Sequence, residues 1–212
     1  LNRQTRIAGG FYSPSDFTGD IYLFCKALSK ALKIRYQVCF EHAVVSDLTD
    51  ELRRRSGPVV ICAGIQSRQL AKSIGEKLPI YPVKGYSITI NEPGNAPWTA
   101  LVDDGAKIVT SRLGKSRFRV AGIAEFNDDN LTIEDRKIGT LINWVKRTCP
   151  EINTSDITPW CGLRPMTPDM LPIVRQSARK KDIWYHTGHG HLGWTLSAYT
   201  AKELAKKMKH YY

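Results

Sequence analysis

The chain has 212 residues, of which 42% are hydrophobic and 24% charged, an ordinary balance for a soluble chain with one or two packed cores. Its net charge of +11 admits a nucleic-acid or anionic-surface partner, but Lys and Arg are scattered, with clusters at Arg53-Arg54-Arg55, Arg179-Lys180-Lys181 and the tail, and no nucleic-acid-binding motif accompanies them. No nucleic-acid partner is therefore expected. No apolar run reaches the roughly 18 residues of a membrane-spanning helix, and no secretory signal precedes the first periodic segment. The five cysteines, Cys25, Cys39, Cys62, Cys149 and Cys161, are odd in number and lack CxxC spacing. That argues for reduced thiols in a cytoplasmic compartment, not a disulfide framework or a zinc site.

In chain order, Asp20 after Gly19 is positioned to cap a helix in which Ile21, Phe24, Leu28 and Ala31 recur at helical spacing. Ile34, Tyr36, Val38 and Phe40 then alternate with polar neighbours and predict a half-buried strand. Residues 47–57 are charged and read as a loop or short helix. The apolar run Val59-Val60-Ile61-Cys62-Ala63-Gly64 predicts a strand buried on both faces. Residues 67–78 predict a helix with Leu70, Ile74 and Leu78 on one side. Pro79 and Pro82 end it.

After Gly85 the pattern changes to short alternating strands, at residues 86–90, 107–112 and 117–121, separated by turn residues. This predicts an antiparallel meander. Residues 127–130 form a polar turn, and residues 134–148 predict a helix with Ile138, Leu141, Ile142 and Val145 inward and Pro150 as its stop.

Gly162-Leu163-Arg164-Pro165-Met166-Thr167-Pro168-Asp169 comes next. It reads as a proline-stiffened turn carrying an arginine, whose fork suits a carboxylate. The plain alternative is a surface arginine. A strand at residues 183–187 runs into Thr187-Gly188-His189-Gly190-His191-Leu192-Gly193-Trp194-Thr195 and then a C-terminal helix. A strand, a glycine turn and a helix gather backbone N–H groups and a positive dipole end at one point. The same turn has a purely structural reading, as a helix entry. His189 and His191 raise a metal site, but no carboxylate or cysteine stands beside them at ligand spacing, so no metal is expected. No Ser/His/Asp or Cys/His nucleophile arrangement stands out, and no residue is assigned a catalytic role.

The last two stretches resemble the C-terminal signature of FAD-dependent D-amino acid dehydrogenases, within the D-amino acid oxidase and glycine oxidase family. The resemblance extends through Ser13-Pro14-Ser15-Asp16, residues 60–64, Pro82-Val83-Lys84-Gly85-Tyr86-Ser87 and Arg119-Val120-Ala121-Gly122-Ile123-Ala124-Glu125. The family's N-terminal strand–GxGxxG–helix is expected to be lacking, and the region around residues 47–57 to be shortened.

The resemblance implies an α+β / α/β fold: part of a glutathione-reductase-like FAD-binding domain (residues 1–82), a mixed, largely antiparallel substrate domain (83–160), and a return to the FAD-binding domain (161–212). It implies FAD against Ala63, Gly64, Gly188, His189, Gly190, Leu192, Gly193, Trp194 and Thr195. Arg164 would read the carboxylate of a D-amino acid, with the Tyr86 phenol on the same carboxylate or, equally, as a half-buried strand aromatic. The implied reaction is oxidative deamination to a 2-oxo acid and ammonia. The implied partners are the remaining half of the enzyme or a second chain, and a respiratory-chain acceptor at the inner membrane face. A non-catalytic remnant, or a subunit serving as a substrate-domain binding module, is the alternative.

Overall fold

A computed structural model describes residues 9–54, 56–126 and 129–209. Arg55 of the first basic cluster, and Asn127 and Asp128 of the expected polar turn, lie outside them. Contacts divide the chain into two units: Leu1–Val38, Lys84–Glu125 and Asn130–Gly162 form the first, and Cys39–Val83, Phe126–Asp129 and Leu163–Tyr212 the second. Residues 9–38 thus fall in the unit of the larger sheet.

The first unit is built on α1 (Ile21–Tyr36), β2 (Tyr81–Asn91), β3 (Val102–Asp103), β4 (Ile108–Leu113), β5 (Arg117–Phe126), α4 (Asp135–Thr148) and β6 (Ile157–Met166), with β2 and β6 continuing into the second unit. The sheet order is β3-β4-β5-β2-β6. β4 and β5 form an antiparallel hairpin from Leu113↔Arg117 to Ile108↔Gly122. Tyr86, Ile88 and Ile90 of β2 and Phe118 and Val120 of β5 project to one face, as period-two alternation requires. There they meet Ile138, Leu141, Trp144 and Val145 of α4. Burying each such side chain contributes about 1.5–3 kcal/mol. Trp144 Nε1 donates to Asp103 Oδ2 at 2.8 Å, which satisfies the one polar atom that α4 brings inward.

The second unit has the sheet order β1-β8-β7, with β1 (Val59–Ile61), β7 (Ile173–Gln176) and β8 (Ile183–Thr187). β1 and β8 are parallel, in the register Val59↔Ile183 to Ile61↔Tyr185, and β7 is antiparallel to β8. The helices are α2 (Leu48–Arg54), α3 (Ser67–Ser73, preceded by a 3-10 turn at Gly64–Gln66) and α5 (Gly193–Lys209). The core is Leu48, Ile61, Ile65, Leu70, Ala71, Leu78, Ile80, Ile183 and Tyr185.

Three expectations are corrected. The strand expected from Ile34 to Phe40 does not form: Asp20 caps α1, accepting from the N–H groups of Tyr22 and Leu23 at 3.1 Å, and the helix runs on to Tyr36. Gln37 then turns left-handed at φ 55°, and Val38 N–H reaches back to Leu32 O at 3.2 Å. Period-two alternation makes a strand only where a neighbour pairs with it, and no described strand does. Second, α3 stops at Ser73, five residues before Leu78, because Gly75 takes φ 75° and Glu76 N–H closes on Ala71 O at 3.0 Å. Third, β1 is buried on one face only, since Val60 is 37% exposed between its neighbours.

Candidate functional site

Because β1 and β8 are parallel, both chains leave the sheet at the same edge. The residues after β1 (Ala63, Gly64) and after β8 (Gly188 onward) are therefore brought together there, the edge at which α/β sheets bind ligands. Thr187 ties them: its Oγ1 donates to Gly64 O at 3.2 Å and accepts from Ser67 Oγ at 3.0 Å. Ser67 and Thr187 are buried. Gly64 has φ 55°, which lets the chain turn from β1 into α3 while its carbonyl faces Thr187. Neither Ser67 nor Thr187 stands out in the sequence. Their buried pairing across 120 positions has no local signature.

The loop after β8 reads Gly188-x-Gly190-x-x-Gly193, itself a G-x-G-x-x-G spacing between a strand and a helix. This spacing lies in the C-terminal loop and is distinct from the family's N-terminal strand–GxGxxG–helix. In a dinucleotide loop the second glycine lets a pyrophosphate approach the backbone. In this loop the space belongs to the protein. A Cβ on Gly190 would meet Met166 Sδ at 2.7 Å, and Gly190 N–H already donates to Pro165 O at 3.0 Å. A Cβ on Gly188 would meet Thr167 Cγ2 at 2.9 Å. The cavity beside the loop is about 10 Å³, lined by Met166, Thr167, Met170 and residues 188–192, hardly one water in size.

Leu192, Trp194 and Thr195 are exposed, the last two in the first turn of α5. That 17-residue helix presents its dipole's positive end here.

His189 and His186 converge on Thr200: the two Nε2 atoms lie 3.0 and 2.8 Å from its Oγ1, and the rings meet edge-on at 4.7 Å. The Thr200 hydroxyl also lies 2.9 Å from Leu196 O and 3.3 Å from Ser197 O. With one proton, the hydroxyl can donate to only one neighbour, so at least one of the two imidazoles donates to it from Nε2. Burial lowers both pKa values, and the neighbouring His186 lowers that of His189 further. Among the described residues no group of three or more His, Cys, Asp or Glu is gathered for a metal ion.

Arg164 stands in β6, not in a turn. Pro165 occupies the next strand position, with its carbonyl given to Gly190. Arg164 is half-buried, and burial depresses its guanidinium pKa. Tyr86 lies in the middle of β2, not at its start, and is 1% exposed. Its hydroxyl donates to Glu125 Oε2 at 2.9 Å. A phenol has one proton, so Tyr86 in this state cannot also donate to a substrate carboxylate. Burial raises the Tyr86 pKa, and the Glu125 carboxylate adds to the rise. Glu125 reaches this face because Ile123, just past the last β4 pair, takes φ 65°. That conformation is costly for a β-branched residue, and it re-aims the end of β5.

A cavity of about 1060 Å³ lies elsewhere in the second unit, along α3 and residues 75–82 with Arg68 and Asp129. None of the expected site residues lines it. At its rim Glu76, 7% exposed, accepts from Arg175 at 2.9 Å, Tyr185 Oη at 3.0 Å, Ala178 N–H at 3.3 Å and Ser177 Oγ. Burial pushes its carboxyl up, but these donors together outweigh that and hold it below the usual range.

The sequence model of one family, described as FAD dependent oxidoreductase (DAO), matches residues 1–207. D-amino acid dehydrogenase 3 of Mesorhizobium japonicum is 46% identical over 216 residues, covering 93% of this chain and 52% of that protein. A D-amino acid dehydrogenase of Dechloromonas aromatica is 38% identical, covering 94% and 52%. The chain spans about half the length of the curated relatives it matches. Among solved structures, glycine oxidase from Geobacillus kaustophilus aligns with TM-score 0.62 at 20% identity, over 71% of this chain and 41% of that one. Iminodiacetate oxidase from Chelativorans sp. BNC1 aligns with TM-score 0.60 at 21% identity, over 71% and 42%. These two show likeness of fold.

Proposed function

From the premise that this chain belongs to the FAD-dependent oxidoreductase (DAO) family, we propose that it is part of a flavoenzyme that deaminates D-amino acids oxidatively. The relatives named D-amino acid dehydrogenase support the substrate class. The observation that carries the reading is the shared edge of β1 and β8, where Gly64 and the loop at 188–193 lead into the N-terminus of α5.

A flavin fits this edge in part. Gly64, Gly193, Trp194 and Thr195 offer backbone at a helix N-terminus, where developing negative charge is stabilised. His189 and Gly190, by contrast, are engaged with Thr200, Pro165 and Met166. FAD, when bound, supplies the acceptor for the hydride lost from the substrate Cα, and the imine so formed takes up water to give 2-oxo acid and ammonia. Arg164 holds the substrate carboxylate by two parallel N–H donors, and the desolvation of its guanidinium strengthens that hold. Tyr86, buried with its proton committed to Glu125, suits the role of a core strand aromatic better than that of a substrate contact. The remaining half of the enzyme, or a second chain, completes the flavin site in this reading. A respiratory-chain acceptor at the inner membrane face takes the electrons. No helix among the described residues is long and apolar enough to cross a membrane.

The closed packing of residues 188–192 on Met166 and Thr167 favours a second reading, a substrate-domain module without catalysis. The chain joined to the remaining half of the enzyme, carrying an absorbance band at about 450 nm through gel filtration that bleaches on addition of a D-amino acid, supports the flavoenzyme. If the completed protein stays colourless and added FAD does not bind it, the module reading stands.

A further inference from the structure

The loop that follows β8 is closed by a clasp of one hydroxyl and two imidazoles. His186 Nε2 lies 2.8 Å and His189 Nε2 3.0 Å from Thr200 Oγ1, with the ring centres 4.7 Å apart. Thr200 and Leu204 are the buried residues of α5, so the clasp is also one of the few inward attachments of that helix. His186 is held by its strand, where it pairs with Val174 of β7. His189 is not in a strand. It stands between Gly188 at φ 75° and Gly190 at φ 55°, a left-handed backbone that glycine adopts without cost. The chain on both sides of His189 can therefore turn, and the clasp fixes where its ring points.

The charged groups on the surrounding elements are engaged or turned away. On α5, Glu203 pairs with Lys206 at 2.8 Å, Lys207 donates to Val174 O at 2.8 Å, and Lys202 is exposed. Arg175 of β7 binds Glu76, and Asp169 of the β6–β7 turn accepts from Leu171 N–H. None of these, nor Arg164 of β6, nor His191 of the loop, shifts either ring. Burial lowers the pKa of both, and His186 then lowers that of His189 further. Both imidazoles are thus neutral at neutral pH. Protonating both sets two cations against each other in a half-buried place. Hydrogen bonding alone tolerates this, since the hydroxyl oxygen has two lone pairs, but the repulsion opposes it.

We infer that the His186–Thr200–His189 clasp is a proton-operated latch: with both imidazoles charged, His189 swings off Thr200 and the loop at 188–192 opens. In the closed state Gly190 N–H donates to Pro165 O at 3.0 Å and Leu192 N–H to His189 O at 3.0 Å, with Met166 Sδ over Gly190. Opening uncovers Gly190 and the N-terminus of α5, the backbone that the flavin reading calls on. The latch consists of this chain's own atoms, so it can fail while that reading stands, and the reverse.

The test uses the whole chain without added ligand. Amide exchange followed by NMR, corrected for its intrinsic pH dependence, reads the bonds of Gly190 and Leu192. Between about pH 7.5 and about pH 5 these two amides should lose protection by about tenfold or more, while those of β4 and β5 keep theirs. The two imidazoles should titrate in separate steps. In His186→Asn the His189 step should move to higher pH, because the opposing charge is gone, and Gly190 should stay protected in acid. Thr200→Val should expose the Gly190 amide already at neutral pH. Full protection of Gly190 in acid, or its loss in step with β4 and β5, overturns the latch. The wild-type comparison requires no variant, so it decides the matter even if Thr200→Val fails to fold.

Discussion

Arg164 shows what a single residue's sequence context reveals and what it hides. Its chemistry is legible from type and neighbours, but its backbone is not. Prolines at 165, 168 and 172 suggest a turn, yet Pro165 sits within β6, where an edge position tolerates a residue without an N–H. If Arg164 clamps the carboxylate, Arg164→Lys lowers kcat/KM for D-amino acids about ten- to a hundredfold, chiefly through KM, and similarly for small and large side chains. Steady-state kinetics within about twofold of wild type would make it an ordinary strand arginine. The histidines give a second prediction. Their folded pKa values are depressed, so below the ordinary histidine range the unfolded chain binds more protons than the folded one. Their contribution is whole above about pH 6.5 and is lost as pH falls below it. Melting temperature should drop between about pH 6.5 and 5, and His189→Gln should flatten that drop. An unchanged slope in the variant would place the acid sensitivity elsewhere. For Tyr86 the chain alone allows both a substrate contact and a core aromatic. Its burial could not be read there, because Glu125 comes into reach only through the left-handed Ile123, a conformation no isoleucine advertises.

At the scale of elements, helix α4 and the β4–β5 hairpin are plain from periodicity, since each satisfies its pattern through local partners. α1 is only half legible: its start has a local cause, the Asp20 cap, but its end depends on which strands exist to pair with residues 34–40. The β7–β8 pair is not legible at its buried end, because Glu76 joins it from 101 positions away, through Ser177. With Arg175, Ser177 and Tyr185 donating to one carboxylate, Glu76→Gln puts an NH₂ against donors and should cost about 1–3 kcal/mol in urea unfolding. Because the folded pKa of Glu76 is depressed, its contribution is present above the ordinary glutamate pKa and disappears as pH falls through the folded value. The variant should therefore differ from wild type at neutral pH and converge with it in acid. A constant difference would assign the loss to packing rather than charge.

For the whole molecule, the family and the glycine loop are visible in one sequence, whereas strand β6, read there as a turn, and the pairing of β1 with β8 are not, and that pairing sets how the chain must assemble. Thr187 meets Gly64 across 123 positions. Closing a loop of that length costs roughly 4 kcal/mol of chain entropy before any contact repays it. The β4–β5 hairpin closes through the few residues between Leu113 and Arg117. Refolding followed by pulsed hydrogen exchange should thus protect the amides of β4 and β5 well before those of β1 and β8, and simultaneous protection would contradict this. On the ribosome, β1 emerges early and waits, its edge unsatisfied, until residues 183–187 arrive. The second unit is therefore finished last, and its half-made sheet is where a stalled chain would meet another and aggregate.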